Sequence, residues 1–229
     1  MTLAELSVRL GLHTSTAFHL IRTLVNLGFL SQSAETKKYS IGAHLFALAA
    51  GALDESALLA LATPVLEMLS EETGEASHLA VRAHHEITVV ARTEATGMLQ
   101  LSGRAGATRP AHATAIGKLL FAFMQPEERE RALASLNLRA FTPHTITDLD
   151  ALRRELDEIA RTGLAHDRRE FDADVRCIAV PVRDFTGRCA GAIGISGPVW
   201  RLSDTVIEAH ASVLRRCAET LSVQLGFRG

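Results

Sequence analysis

The sequence predicts an α+β protein in two parts: a small N-terminal head built from a helix-turn-helix and a β-hairpin, and a larger part in which helices flank an antiparallel sheet. Three observations carry this. Residues 3–27 place apolar side chains at helical spacing on either side of Gly11, whereas residues 76–102 and 164–196 change to the two-residue alternation of strands. Charge also divides unevenly: residues 1–42 hold Arg9, Arg22, Lys37 and Lys38 against Glu5 and Glu35, or +2, which leaves −4 for the rest of a chain of net charge −2. A positive head on an acidic body suits a partner rich in phosphate.

Composition narrows the class. With 229 residues, 47% hydrophobic and 22% charged, the chain has material for two folded domains rather than a disordered segment. Its three cysteines lack zinc-type spacing and imply neither a disulfide framework nor a metal site, which fits a reducing cytoplasm; no cofactor is signalled. No apolar run approaches the ~18 residues of a membrane span, and no secretory leader is visible, so a cytoplasmic protein without a membrane partner is expected.

In the head, Thr2 is placed to cap a helix carrying Leu3, Leu6 and Leu10, and Gly11 ends it. Thr14, Ser15 and Thr16 open a second helix with Ala17, Leu20, Ile21, Leu24 and Leu27 at helical spacing, up to Gly28. Two short helices meeting at a glycine turn form the motif whose second helix enters the major groove of double-stranded DNA. Thr14, Ser15, Thr16, Phe18, His19 and Arg22 face outward there and are the candidate base readers. An extended start at Phe29, a polar turn over 33–36 and a returning strand over 37–41 read as a wing, with Lys37 and Lys38 set against phosphates. A helical hairpin without DNA has the same pattern; the wing favours the DNA reading. Residues 1–42 are the head.

Residues 43–56 are apolar and alanine-rich, and are expected to form a linker helix packed against a second subunit, giving a homodimer or a dimer of dimers. The larger domain, 57–229, opens with a helix over 58–73 that Pro64 should kink or restart. Strands follow over 76–82, 87–92 and 98–102. The apolar helix over 116–124 begins among small residues just after Arg109; its unpaired amides suit an anion if they face a cavity, and are an ordinary cap if they do not. Two amphipathic surface helices, over 126–136 and 149–162, show no chemistry.

The strands over 176–183 and 188–196 are the most informative. Centring their turn on residues 184–187 pairs Cys177 with Gly194, Ile178 with Ile193 and Ala179 with Ala192. One face is then Ile178, Val180, Val182, Ile193 and Ile195; the other is Cys177, Ala179, Ala192, Gly194 and Ser196, all small. The small face either packs under a helix or floors a ligand cavity, with Asp167 on the strand over 164–170 at its rim. Ser203 caps a final helix over 204–225 that should cover the sheet.

The order of elements, together with PVLEMLSEETGE at 64–75, HATAIGKLLFA at 112–122, VRCIAVPVRD at 175–184 and AIGISGP at 192–198, resembles the IclR family of bacterial regulators over nearly the whole chain. The resemblance implies a winged helix-turn-helix joined to a GAF-like effector-binding domain that senses small organic or aromatic acids and modulates operator binding. It carries effector contacts onto the Ala115 and Ile116 amides, Asp167, Cys177, Gly194 and Ser196, with Met98, Leu101, Val175 and Arg109 completing the candidate set. Arg109 stands where relatives carry an aliphatic residue, Gly194 where serine is common and His19 where arginine is common. Met1 stands where the family's preceding helix should already have ended. The first helix of the head is therefore absent on this reading, and an alternative is a ligand sensor with weak or no DNA binding. A cysteine-dependent enzyme using Cys177 with His112 or His166 is disfavoured, because no third orienting group or nucleophile turn is present.

Overall fold

The computed structural model describes residues 1–45, 55–83, 86–95 and 105–228. The chain divides into two compact units, Met1–Leu58 and Leu59–Gly229.

In the first unit, α1 (Leu3–Leu10) starts at a reciprocal cap: Glu5 N donates to Thr2 Oγ1 (3.3 Å) and Thr2 N donates to Glu5 Oε2 (2.8 Å). Gly11 ends it at φ +64°, and the Ser7 hydroxyl donates to Leu12 O (2.6 Å), fastening the turn. Helix α2 (Thr14–Asn26) buries Ala17 and Ile21. Leu20, Leu24 and Leu27, placed by the periodicity on the packed face, are 53%, 39% and 51% exposed: a unit this small has no second layer to cover the whole stripe. The wing strands β1 (Leu30–Gln32) and β2 (Tyr39–Ile41) pair antiparallel, Leu30 opposite Ile41. Lys37, expected in the returning strand, instead closes the turn at φ +56°, its amide donating to Ser33 O (3.0 Å). Met1 flanks β2, exchanging both backbone hydrogen bonds with Tyr39 (3.0 and 2.7 Å). Residues 43–45 are helical; most of the expected linker helix, 46–54, lies outside the described residues.

The second unit is a six-stranded antiparallel sheet in the order β5-β4-β3-β8-β7-β6, flanked by helices. Helix α3 (Glu55–Thr73) is continuous through Pro64, without the restart that was one of the two expectations there. Proline removes one hydrogen bond there, and the carbonyl it orphans belongs to exposed Ala60. The strands are β3 (Ala76–Ala83), β4 (Glu86–Thr93), β5 (Thr108–Arg109), β6 (Ala165–Arg168), β7 (Val175–Arg183) and β8 (Cys189–Pro198). The expected strand over 98–102 falls outside the described residues. Helices α4 (Ala115–Ala122), α5 (Pro126–Ala134) and α6 (Leu149–Thr162) contribute to the core on one face, and α7 (Asp204–Gln224), capped by Ser203, packs on β7 and β8.

The closing hairpin departs from the expected register by two residues. Cys177 lies opposite Ser196, Ile178 opposite Ile195 and Ala179 opposite Gly194. The loop is one residue longer than expected and accounts for one residue of the shift, since Asp184 N donates to Arg188 O (2.9 Å) and Gly187 takes φ +80°. Strand β8 then carries an extra residue, Ala190, at a bulge facing Val182 and Arg183. Because the total shift is even, each face keeps its composition. Ile178, Val180, Val182, Ile193 and Ile195 are at most 1% exposed, on the bulky face. On the small face Ala179 and Ala192 pack in the core with α4, whereas Cys177 and Ser196, nearer one end, reach a cavity. One stretch of that face packs under a helix, and another opens on a cavity.

Candidate functional site

All of α4 is buried, and it lies close to the segment before it because residue 117 is glycine. A Cβ there would stand 2.6 Å from the Ala111 backbone. That approach brings the start of α4 over the sheet, where a cavity of about 140 Å³ opens. Thr114 caps the helix: its hydroxyl accepts from Gly117 N (3.2 Å) and donates to Pro110 O (2.8 Å). The amides of Ala115 and Ile116 have no acceptor within the helix, and both residues line the cavity at the positive end of the helix dipole.

Strand register builds the floor. Asp167, Cys177 and Ser196 stand directly opposite one another on β6, β7 and β8, and His78 pairs with Arg92 across β3 and β4. All five line the cavity. Ser196 Oγ and His78 Nδ1 are 3.3 Å apart. Gly194, expected to touch a ligand, is not among the lining residues: a Cβ there would meet His78 Nε2 at 2.9 Å, so its missing side chain makes room for the imidazole.

Arg92 is the residue that alternation misplaces. Leu79 pairs with Ala91 while Ala80 pairs with Val89, so Val90 is an extra residue in β4. Without this bulge Val89 and Arg92 would face opposite sides; with it both reach the cavity. Arg109 enters from β5, its guanidinium carbon 5.6 Å from the Phe171 ring centroid. Val175 and the Phe171–Asp172 segment close the remaining side. That segment is wired in place: Glu170 N donates to Asp167 Oδ1 (2.7 Å), the Thr145 hydroxyl donates to Glu170 O (2.6 Å), and Arg169 adopts φ +69°. Behind it the fully buried Lys118 ammonium donates to Glu170 Oε1 (2.6 Å) and Glu155 Oε1 (3.0 Å).

The electrostatics follow from burial. Desolvation, with Arg92 and Arg109 nearby, lowers the His78 pKa to about 3, so the ring is neutral at physiological pH. Desolvation raises Asp167 to about 7, against the stabilising amide of Glu170. Burial, then Asp167, pushes the Cys177 thiol far above its ordinary value. Burial and then Arg92 hold the Arg109 guanidinium below its usual range.

Of the residues expected from sequence, Arg109, Ala115, Ile116, Asp167, Val175, Cys177 and Ser196 therefore meet at one cavity, Gly194 does not, and Met98 and Leu101 lie outside the described residues. His78, Arg92 and Phe171 were missed. Strand alternation from Ala76 would have placed His78 on the small-residue face; nothing local marks the bulge. On the head, Thr14, Ser15, Thr16, Phe18, His19, Arg22, Lys37 and Lys38 are all exposed. Among the described residues, no cluster of three or more His, Cys, Asp or Glu is arranged for a metal ion, and no helix is long and apolar enough to cross a membrane.

Comparison with known proteins matches residues 1–34 to the IclR helix-turn-helix domain and residues 50–223 to the C-terminal domain of bacterial transcriptional regulators of the IclR type. The chain belongs to the IclR family. It is 32% identical over 225 residues to the HTH-type transcriptional regulator KdgR of Escherichia coli K12, covering 98% of this chain and 86% of KdgR. The crystal structure of an IclR transcriptional regulator from Silicibacter sp. TM1040 superposes with a TM-score of 0.83 at 28% identity, covering 100% of this chain and 89% of that one. An IclR homologue from Microbacterium hydrocarbonoxydans, solved as a complex with 4-hydroxybenzoate, gives 0.68 at 28% identity, covering 98% and 91%. This IclR-family protein is a DNA-binding transcriptional regulator whose C-terminal domain binds an effector.

Proposed function

We propose that the effector is a small organic anion held in the cavity between the start of α4 and the floor of β3, β4 and β6–β8, and that its binding alters operator affinity. The observation that carries this is the convergence of the Arg109 guanidinium and the Ala115 and Ile116 amides on one partly desolvated space. The 4-hydroxybenzoate bound by the Microbacterium homologue is itself such an acid. Coupling to DNA then requires only that the acid bind one arrangement of a homodimer, or of a dimer of dimers, better than another. A role other than enzyme suits the same geometry: the Cys177 thiol is held protonated, and the His112 ring nitrogen is bonded to Arg139 O (2.9 Å) rather than to a nucleophile. A cytoplasmic location follows from an operator as partner.

Calorimetric titration with small carboxylates, beginning with 4-hydroxybenzoate, tests the site. An acid that binds should lose about 10- to 100-fold affinity in Arg109→Ala, and should change the midpoint of an operator mobility shift in the parent protein. Unchanged affinity in Arg109→Ala would sink the assignment.

On the head, Thr14, Ser15, Thr16, Phe18, His19 and Arg22 are the proposed base-facing set, and Lys37 and Lys38 the phosphate contacts. Replacing both lysines by alanine is expected to weaken binding to all sequences alike and to reduce the slope of log K against log salt by about 2. A slope equal to that of the parent chain would remove the wing from the interface.

A further inference from the structure

We propose that the effector carries two acidic groups, one held by the α4 amides and Arg109 and the other by Arg92. This rests on the anion-binding reading above and specifies its ligand. A single carboxylate needs one cationic anchor, yet two guanidiniums, from β4 and β5, face this cavity. Arg92 is there because of a specific backbone device, the extra residue at Val90, without which its side chain would turn to the other face of the sheet. Bulges beside binding sites commonly re-aim a side chain in this way.

The two cations are close enough to act on each other and on the ring between them. Burial and Arg92 lower Arg109, and burial with both arginines suppresses the charge of His78. A guanidinium in a partly desolvated space gains from an anion set beside it. Asp167 does not supply two such charges, since it is a single carboxyl whose pKa burial raises to about 7. At the edge, Glu94 meets Arg92 Nε at 3.3 Å and is itself 47% exposed. Arg92 thus already holds one carboxylate of this chain, and the second acidic group of a ligand would share or displace that partner.

The test is calorimetry on the full chain near pH 7, pairing glutarate, adipate, phthalate and terephthalate with monoacids of matched carbon skeleton, butanoate, pentanoate and benzoate. At least one diacid is expected to bind about tenfold more tightly than its matched monoacid. Arg92→Gln should erase that difference by weakening the diacid much more than the monoacid, and Glu94→Gln should strengthen the diacid. Diacids no tighter than monoacids in the parent chain, a comparison that needs no variant, would overturn the proposal and leave the anion-binding reading standing. So would an Arg92→Gln variant that weakens both classes equally. Absence of binding by every acid would overturn the anion-binding reading itself, and the two-group proposal with it.

Discussion

Lys118→Met is expected to destabilise the effector-binding domain by about 3–5 kcal/mol, read as a lower urea midpoint with an unchanged denaturant slope. The Lys118 side chain is fully buried, and that of its partner Glu170 is 4% exposed. Two charges withdrawn from water offset each other only as a pair; removing the cation leaves Glu170 charged in a dry site. Glu155, with 23% of its side chain exposed, keeps part of its hydration and loses less. The double variant Lys118→Met/Glu170→Gln should recover at least half of the loss, because no uncompensated charge remains. A single variant within about 1 kcal/mol of the parent would show that the pair contributes little. The effect should reach the ligand as well, since Glu170 begins the segment that carries Phe171 and Asp172 into the cavity wall.

Asp167→Asn is expected to stabilise the protein at pH 8 and to flatten its stability against pH. The Asp167 carboxyl is raised from an ordinary 3.8 to about 7, first by burial and further by Glu170, against the Glu170 and Phe171 amides and Lys118. Between those values the folded chain binds a proton that the unfolded chain has released, so stability falls as pH rises through the window and the full cost is present above 7. At about 1.4 kcal/mol per pKa unit, the cost is on the order of 4 kcal/mol. Asparagine still accepts from the Glu170 amide but carries no charge, so its advantage should be near zero at pH 4 and greatest at pH 8. Parallel urea midpoints for the two proteins from pH 4 to 8 would refute the shift. Ligand affinity has the same sign: once ionised, Asp167 faces an anionic effector with a negative charge, and binding by the parent chain should weaken above pH 7 while the variant stays level.

How much of the site was legible in the sequence can be judged residue by residue. Arg109, Ala115 and Ile116 were found because a helix start after an arginine is a local pattern with a local consequence. Cys177 and Ser196 were found because alternation sorted the hairpin into a bulky face and a small one, and the sorting survived a register error of two residues. Gly194 was assigned to the ligand on resemblance, whereas its lack of a side chain serves His78. His78 was within reach of alternation but its partners were not, since its role depends on β3 lying beside β8, more than a hundred residues away in sequence.

The sequence by itself determined where helices begin and, wherever a strand is unbroken by a bulge, which residues share a face, because helical period, strand alternation and capping are settled by neighbours a few positions apart. Only the tertiary structure decided which faces meet and what charge they carry. The Val90 and Ala190 bulges set side-chain direction and register through long-range pairing. The neutral His78 and raised Asp167 owe their states to the loss of water around them, a property of the packed domain and of no segment within it.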